Sequence, residues 1–184
     1  SIIPPQRYWQ RRRFKIVKKY IQSSRRILDI GCGSSNIIKS LKEAVGLDIS
    51  MEKLRYLRTF HRRLVNGSLF RLPFPDETFS GVICSELIEH VPFRMSIFQE
   101  LNRVLEKNGN LVLGTPDYDR RTWRIIEFCY GILMPNAYKD EHITHYSLNR
   151  LRELLREHGF RIEDYSYIAG SELILKARKV RPLL

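Results

Sequence analysis

A chain of 184 residues, 43% hydrophobic and 28% charged, is long enough to bury one core and has the composition of a soluble globular domain. It contains no apolar run of the ~18 residues a membrane span needs, and no leader-like apolar segment follows Ser1-Ile2-Ile3-Pro4-Pro5. Three cysteines, Cys32, Cys84 and Cys129, form no C-x-x-C pair, which argues against a disulfide framework or a zinc site and predicts a cytoplasmic location.

The net charge of +12 is concentrated at the ends. Residues 1–26 hold nine Lys/Arg and no acid, residues 176–184 hold four and no acid, and the remainder is nearly neutral. Basic ends can attract nucleic acid, an anionic membrane surface or a phosphorylated substrate. They can equally be a solvated helix face and a frayed tail.

In chain order, residues 7–21 are predicted helical, because Trp9, Ile16, Val17, Tyr20 and Ile21 share one face. Residues 26–30 form a strand, 36–44 a helix, 45–49 a second strand and 51–60 a helix capped by Ser50. Short strands follow at 64–66 and 81–85, with a helix over 93–105. Lys107-Asn108-Gly109-Asn110 reads as a turn before a strand at 111–115. A strong helix over 148–158 is stopped by Gly159. Strands at 161–168 and 172–177 are joined by Ala169-Gly170-Ser171 alone, too short for a parallel crossover, so this pair should be antiparallel. The alternation predicts one α/β domain over residues 1–184: a doubly wound, mainly parallel sheet of seven strands that ends in an antiparallel hairpin.

The first strand runs into Asp29-Ile30-Gly31-Cys32-Gly33. Two glycines one residue apart permit a tight turn and close approach of a ligand to the backbone. Dinucleotide binders use such turns too, but a carboxylate at Asp29 suits a ligand bearing an ammonium and a sulfonium and suits a pyrophosphate poorly. Asp48, at the end of the second strand, can accept hydrogen bonds from ribose hydroxyls.

On these residues the chain resembles the class I, Rossmann-like S-adenosylmethionine-dependent methyltransferases, especially their small-molecule group. Asp29-Ile30-Gly31-Cys32-Gly33 is similar to the family's first motif, and Asp48 to its ribose-binding acid. Leu72-Pro73-Phe74-Pro75-Asp76-Glu77-Thr78-Phe79, then Glu100-Leu101-Asn102-Arg103-Val104-Leu105 with Gly109, and then His145-Tyr146-Ser147 with Gly159-Phe160, match later stretches. The resemblance covers roughly residues 25–178. It implies S-adenosylmethionine as cofactor, held by Asp29, Gly31, Cys32, Gly33, Asp48, Ile49, Ser68, Leu69, Ser85 and Leu87. The chain departs from the pattern at Ser35, in place of a third glycine, at Gly67-Ser68, where the family often has an adenine-contacting acid, and at Ser80, where an Asp is usual.

Ser85-Glu86-Leu87-Ile88-Glu89-His90-Val91 follows the fourth strand. If helical, it puts Glu86, Glu89 and His90 on one face. This E-x-x-E-H spacing resembles that of metal-assisted O-methyltransferases of ubiquinone biosynthesis and of small-RNA 3′ ends, with His145 where a further ligand would fall. A divalent metal is admitted on that resemblance but not expected, and no ligand set is assigned. Residues 116–145, with Pro116, Tyr118, Trp123, Phe128, Tyr130, Met134, Pro135 and Tyr138, are long enough to be a substrate lid with a helix around 121–133.

The expected reaction is methyl transfer to an O or N nucleophile of a small, anionic or glycan-linked acceptor, with His145 as candidate base and Tyr146 and His90 as rivals. The alternatives are an RNA methyltransferase using the basic first helix, and a non-catalytic cofactor-binding module. The start of that helix, with Arg7, Arg11, Arg12 and Arg13, is expected to reach the cofactor side of the sheet. Lys179 and Arg181 are expected at the opposite edge.

Overall fold

The structure is a computed structural model that describes residues 4–34, 37–133 and 142–180, with side chains described from residue 6 and omitted at 34 and 129–133. A seven-stranded sheet is assembled from β1 (Ile27–Ile30), β2 (Val45–Asp48), β3 (Leu64–Asn66), β4 (Phe79–Ser85), β5 (Leu105–Pro116), β6 (Phe160–Ile168) and β7 (Glu172–Lys179) in the order β3-β2-β1-β4-β5-β7-β6. The first five strands are parallel. β7 runs antiparallel to both β5 and β6, as the three-residue connection demanded. Ala169 and Gly170 both take positive φ (48° and 69°), and the Ser171 N–H donates to the Ile168 carbonyl at 3.0 Å.

Alternation along the strands divides the core between two faces. Ile83, Val112 and Ile174 point to helix α1 (Pro4–Ile21), where Val17, Tyr20 and Ile21 meet them. Val82, Cys84, Leu111, Leu113, Leu173 and Leu175 point the other way, toward α3 (Met95–Val104) and α5 (Leu148–Glu157). A smaller cluster around Cys32, Ala44, Leu54 and Leu57 fastens α2 (Met51–Leu57) to the first two strands. Ser50 caps α2, accepting from the Lys53 N–H at 3.3 Å. The Leu72–Asp76 segment is tied to α3 by Arg103, which donates to the carbonyls of Leu72 (2.9 Å) and Phe74 (2.7 Å) and pairs with Glu100 and Asp76. Ser80 has a local structural role: its Oγ accepts from the Arg25 and Arg26 N–H groups at 2.9 and 3.0 Å.

Two expected elements differ. Among the described residues 37–44 the helix predicted over 36–44 does not form; the described part of the connection holds one-turn 3₁₀ segments at Cys32–Ser34 and Ile38–Ser40. Few residues separate the glycine turn from Val45, and the chain must recross the whole strand length in them, so it has no room for a full helix. The turn at 107–110 lies inside one long strand, β5, as an irregularity: Asn108 takes φ 63°, and the register against β4 shifts between Phe79 and Gly81.

The strand order reverses direction between β1 and β4. In open sheets of this kind ligands bind outside the carboxyl ends of the strands at that point. Both cavities described next open on this side of the sheet, the first beside that point.

Candidate functional site

The first cavity, of ≈ 500 Å³, lies over the ends of β1, β2 and β3. Gly31 makes the turn with φ +74°, its N–H donating to the Leu47 carbonyl at 2.8 Å. Gly33 approaches so closely that a Cβ there would stand 2.7 Å from Asp48 Oδ2. Its N–H donates to that oxygen at 2.9 Å, while the Ser50 N–H donates to Oδ1 at 2.8 Å. Asp48 therefore ties the glycine turn to the start of α2 and keeps a second lone pair on each oxygen for a ligand. Of the residues predicted to hold the cofactor, Gly31, Asp48, Ile49, Ser68, Leu69 and Leu87 line this cavity. Cys32 is buried in the cluster beneath α2 instead, and Ser85 is buried at the end of β4. His90, singled out by the E-x-x-E-H spacing, lines the cavity too, as do Lys53 and Phe70, to which no motif pointed.

Asp29 sits just before the turn, 2% exposed, with Oδ2 buried and unpartnered. Burial, with the Asp48 carboxylate adding to it, pushes its pKa up to about 8. A buried carboxylate with an unmatched oxygen beside a second carboxylate is a place for a cation, and a cationic ligand there would restore its charge.

The second cavity, of ≈ 280 Å³, lies over the ends of β4, β5 and β7, between α1 and α4 (Arg121–Leu133). Gln6, Trp9, Gln10 and Arg13 line it from α1 at helical spacing, and Trp123, Ile126 and Glu127 line it from α4. As expected, the basic helix reaches the cofactor side of the sheet. Only Arg13 turns into the cleft, however, while Arg11 and Arg12 face solvent. Arg13 pairs with both oxygens of Glu172 (2.6 and 2.9 Å) and with Glu86 Oε2 (2.9 Å). Burial alone would lower the Arg13 pKa, but the carboxylates outweigh it and raise it. At the opposite edge Lys179 is no frayed charge: it is 2% exposed, its Nζ donating to the Leu105 carbonyl at 2.7 Å and pairing with Glu77. Arg181 lies outside the described residues.

Glu86 lines both cavities. The expected helical face of Glu86, Glu89 and His90 does not form. Glu86 takes a left-handed φ of 56°, and only Ile88–His90 makes a 3₁₀ turn. Glu86 is thereby directed to Arg13, away from Glu89 and His90. Its Oε1 is buried without a partner, and burial together with the Glu172 carboxylate holds its pKa well above the usual range despite Arg13.

Glu89 and His90 meet His142, not His145: one ligand atom from each of the three lies within 4.8 Å of the others, close enough to share a metal ion. The Ile143 and Thr144 N–H groups donate to the Glu89 carbonyl at 2.7 and 3.0 Å, which fixes this strap. The Tyr118 hydroxyl lies 2.7 Å from His142 Nδ1. Burial, with His90 and His145 nearby, lowers the His142 pKa to about 4, so the ring is neutral. His145, the expected base, is exposed and stacked on the Tyr118 ring at 3.9 Å, outside the linings of both cavities. Tyr146 is buried in the main core and His90 lines the first cavity. Of the predicted lid, Pro116 and Trp123 line the second cavity and Phe128 is 69% exposed. The Tyr130 side chain and Met134, Pro135 and Tyr138 lie outside the described residues.

Residues 28–113 match the family described as methyltransferase domain. The chain is 24% identical to a demethylmenaquinone methyltransferase of Geobacillus sp. over 92% of its own length and 86% of the relative's. It is 27% identical to the corresponding Alkalihalophilus pseudofirmus protein over 92% and 84%. Its fold is similar to that of a Thermotoga maritima S-adenosylmethionine-dependent methyltransferase described as a possible histamine N-methyltransferase, with TM-score 0.78, 20% identity, and coverage of 94% of this chain and 90% of that one.

Proposed function

We propose that the chain is a class I, Rossmann-like S-adenosylmethionine-dependent methyltransferase and that it methylates an O or N nucleophile of a small molecule held in the cleft between α1 and α4. The observation that carries this reading is the contact of two cavities at one residue: Glu86 lines both, so a ligand in the cleft adjoins a cofactor in the first cavity. The cofactor supplies an electrophilic methyl on a sulfonium. In this reading Asp48, in the lining of the first cavity, offers carboxylate oxygens for the ribose hydroxyls, Asp29, buried behind the glycine turn, offers its unpartnered oxygen to the ammonium, and Gly31, Ser68, Leu69 and Leu87 line the remaining wall.

The protein's part is to hold the acceptor against the first cavity and to exclude water. The cleft is small and has aromatic walls, which suits a ring and a short chain rather than a nucleic-acid strand. α4 acts as the lid, contributing Trp123 and Ile126. In this reading His145 props the Tyr118 ring, and His142 is the imidazole that faces the acceptor.

Incubation with methyl-labelled cofactor and, separately, pooled metabolites and total RNA tests the reading. Label is expected in the metabolite fraction. Label confined to RNA would overturn it.

A further inference from the structure

The cleft's charge is opposite to that of the chain. The full sequence carries +12, yet the acidic side chains lining the cleft, Glu86, Glu127 and Glu172, outnumber its one arginine, Arg13, with His142 beside them. Arg13 is committed: its guanidinium makes three short contacts to Glu172 and Glu86. An anionic acceptor would meet two carboxylates already on that guanidinium and would have to displace one of them. The remaining acceptors point the other way: Glu86 Oε1 is buried without a hydrogen bond, and Glu127, exposed at the rim, accepts a long 3.5 Å bond from the Tyr118 hydroxyl. Trp9 and Trp123 form apolar walls, and an indole face attracts a cation.

We propose that the acceptor is an amine on a flat aromatic frame, its nitrogen directed to Glu86 and its ring held between Trp9 and Trp123. This deepens the small-molecule reading and rests on it. The bound ammonium first gives one proton to the Glu86 carboxylate; the freed nitrogen lone pair then forms the new N–C bond while the C–S electron pair returns to sulfur, leaving S-adenosylhomocysteine and the methylated ammonium. The basic stripe of α1 is turned to solvent, so it does not select the acceptor.

The test uses the full chain saturated with S-adenosylhomocysteine and calorimetry with matched pairs: 2-arylethylamines against 3-arylpropionates of the same ring, with indole, imidazole and phenol rings. The amine of a pair should bind about tenfold tighter than its carboxylate isostere, the scale of one charge-assisted hydrogen bond. Glu86→Gln should erase that preference, and an unaltered cooperative melting transition reports that the variant folds. Glu172→Gln, which leaves Arg13 with a vacant donor, should shift preference toward the carboxylate. Equal or tighter binding of the carboxylates, an amine preference that survives Glu86→Gln, or no amine binding at millimolar concentration would each overturn the proposal. Labelling of a small acid or phenol instead of an amine would overturn it and leave the small-molecule reading standing. Labelling of RNA alone would remove that reading.

Discussion

The two cavities share Glu86 and little else in how they are made. The first draws its lining from Ile30 to Val91, one run of consecutive strands and loops. The second collects Gln6, Trp9, Gln10 and Arg13 from the first helix, Glu86 and Pro116 from strand ends, three residues of α4, His142, and Glu172 from β7. A cavity built from neighbouring loops depends on backbone conformation, and the residues that permit it are glycines and short acids at strand ends. A cleft built from remote elements depends on which side chains the packing brings together. Substitutions should therefore separate the two functions cleanly.

The largest separation is expected from Asp48→Ala. It removes an acceptor for the ribose hydroxyls and also releases the Gly33 and Ser50 N–H groups. A hydrogen bond to a charged group is worth ~1.5–3 kcal/mol, so affinity for S-adenosylhomocysteine should fall roughly ten- to a hundredfold by calorimetry. Amine preference in the cleft should persist at saturating cofactor. Unchanged cofactor affinity would remove Asp48 from the site.

Trp9→Ala makes the opposite cut. The Michaelis constant for the acceptor should rise about tenfold, the scale of a partly desolvated cation–aromatic contact, with cofactor affinity unaltered in the same titration. If both affinities fall together, the cavities are not independent.

A subtler test is the pH response of Asp29. Its carboxyl is raised to about 8 from an ordinary 3.8, so the folded chain holds a proton that the unfolded chain has lost across that interval. This contribution to stability is therefore full below the ordinary value and declines as pH rises toward 8. A cationic ligand favours the ionised form, so cofactor binding at neutral pH should release a proton. Calorimetry in two buffers of different ionisation enthalpy measures it. Asp29→Asn should remove the release and flatten the decline of the cofactor-free melting midpoint with pH. Equal proton release from the variant would place the titrating group elsewhere.

The smallest effect is expected from chelation. Glu89, His90 and His142 lie close enough to share an ion, but an amine acceptor needs no metal to lower its pKa. Dialysis against a chelator should leave initial rates unaltered. Loss of turnover that manganese or zinc restores would make the trio a metal site and turn attention to hydroxyl acceptors.

Much of this molecule was determined locally. The alternation of strands and helices, the closing hairpin and the apolar stripe of α1 follow from periodicity and connection length, because a three-residue link cannot cross a sheet and a helix shows its buried face every three to four residues. The glycine turn and Asp48 are legible for the same reason: they answer to backbone geometry over a few residues. The tertiary structure alone decided where Glu86 points. A helical reading of residues 86–90 put it beside Glu89 and His90, whereas a left-handed residue at the end of β4 sends it to Arg13, 73 positions earlier, and to Glu172. It likewise chose His142 over His145, through two backbone hydrogen bonds to Glu89 and one ring stacked on Tyr118. It also turned a basic sequence into an acidic cleft, because α1 buries a single arginine and leaves the others in water, where a charge costs least.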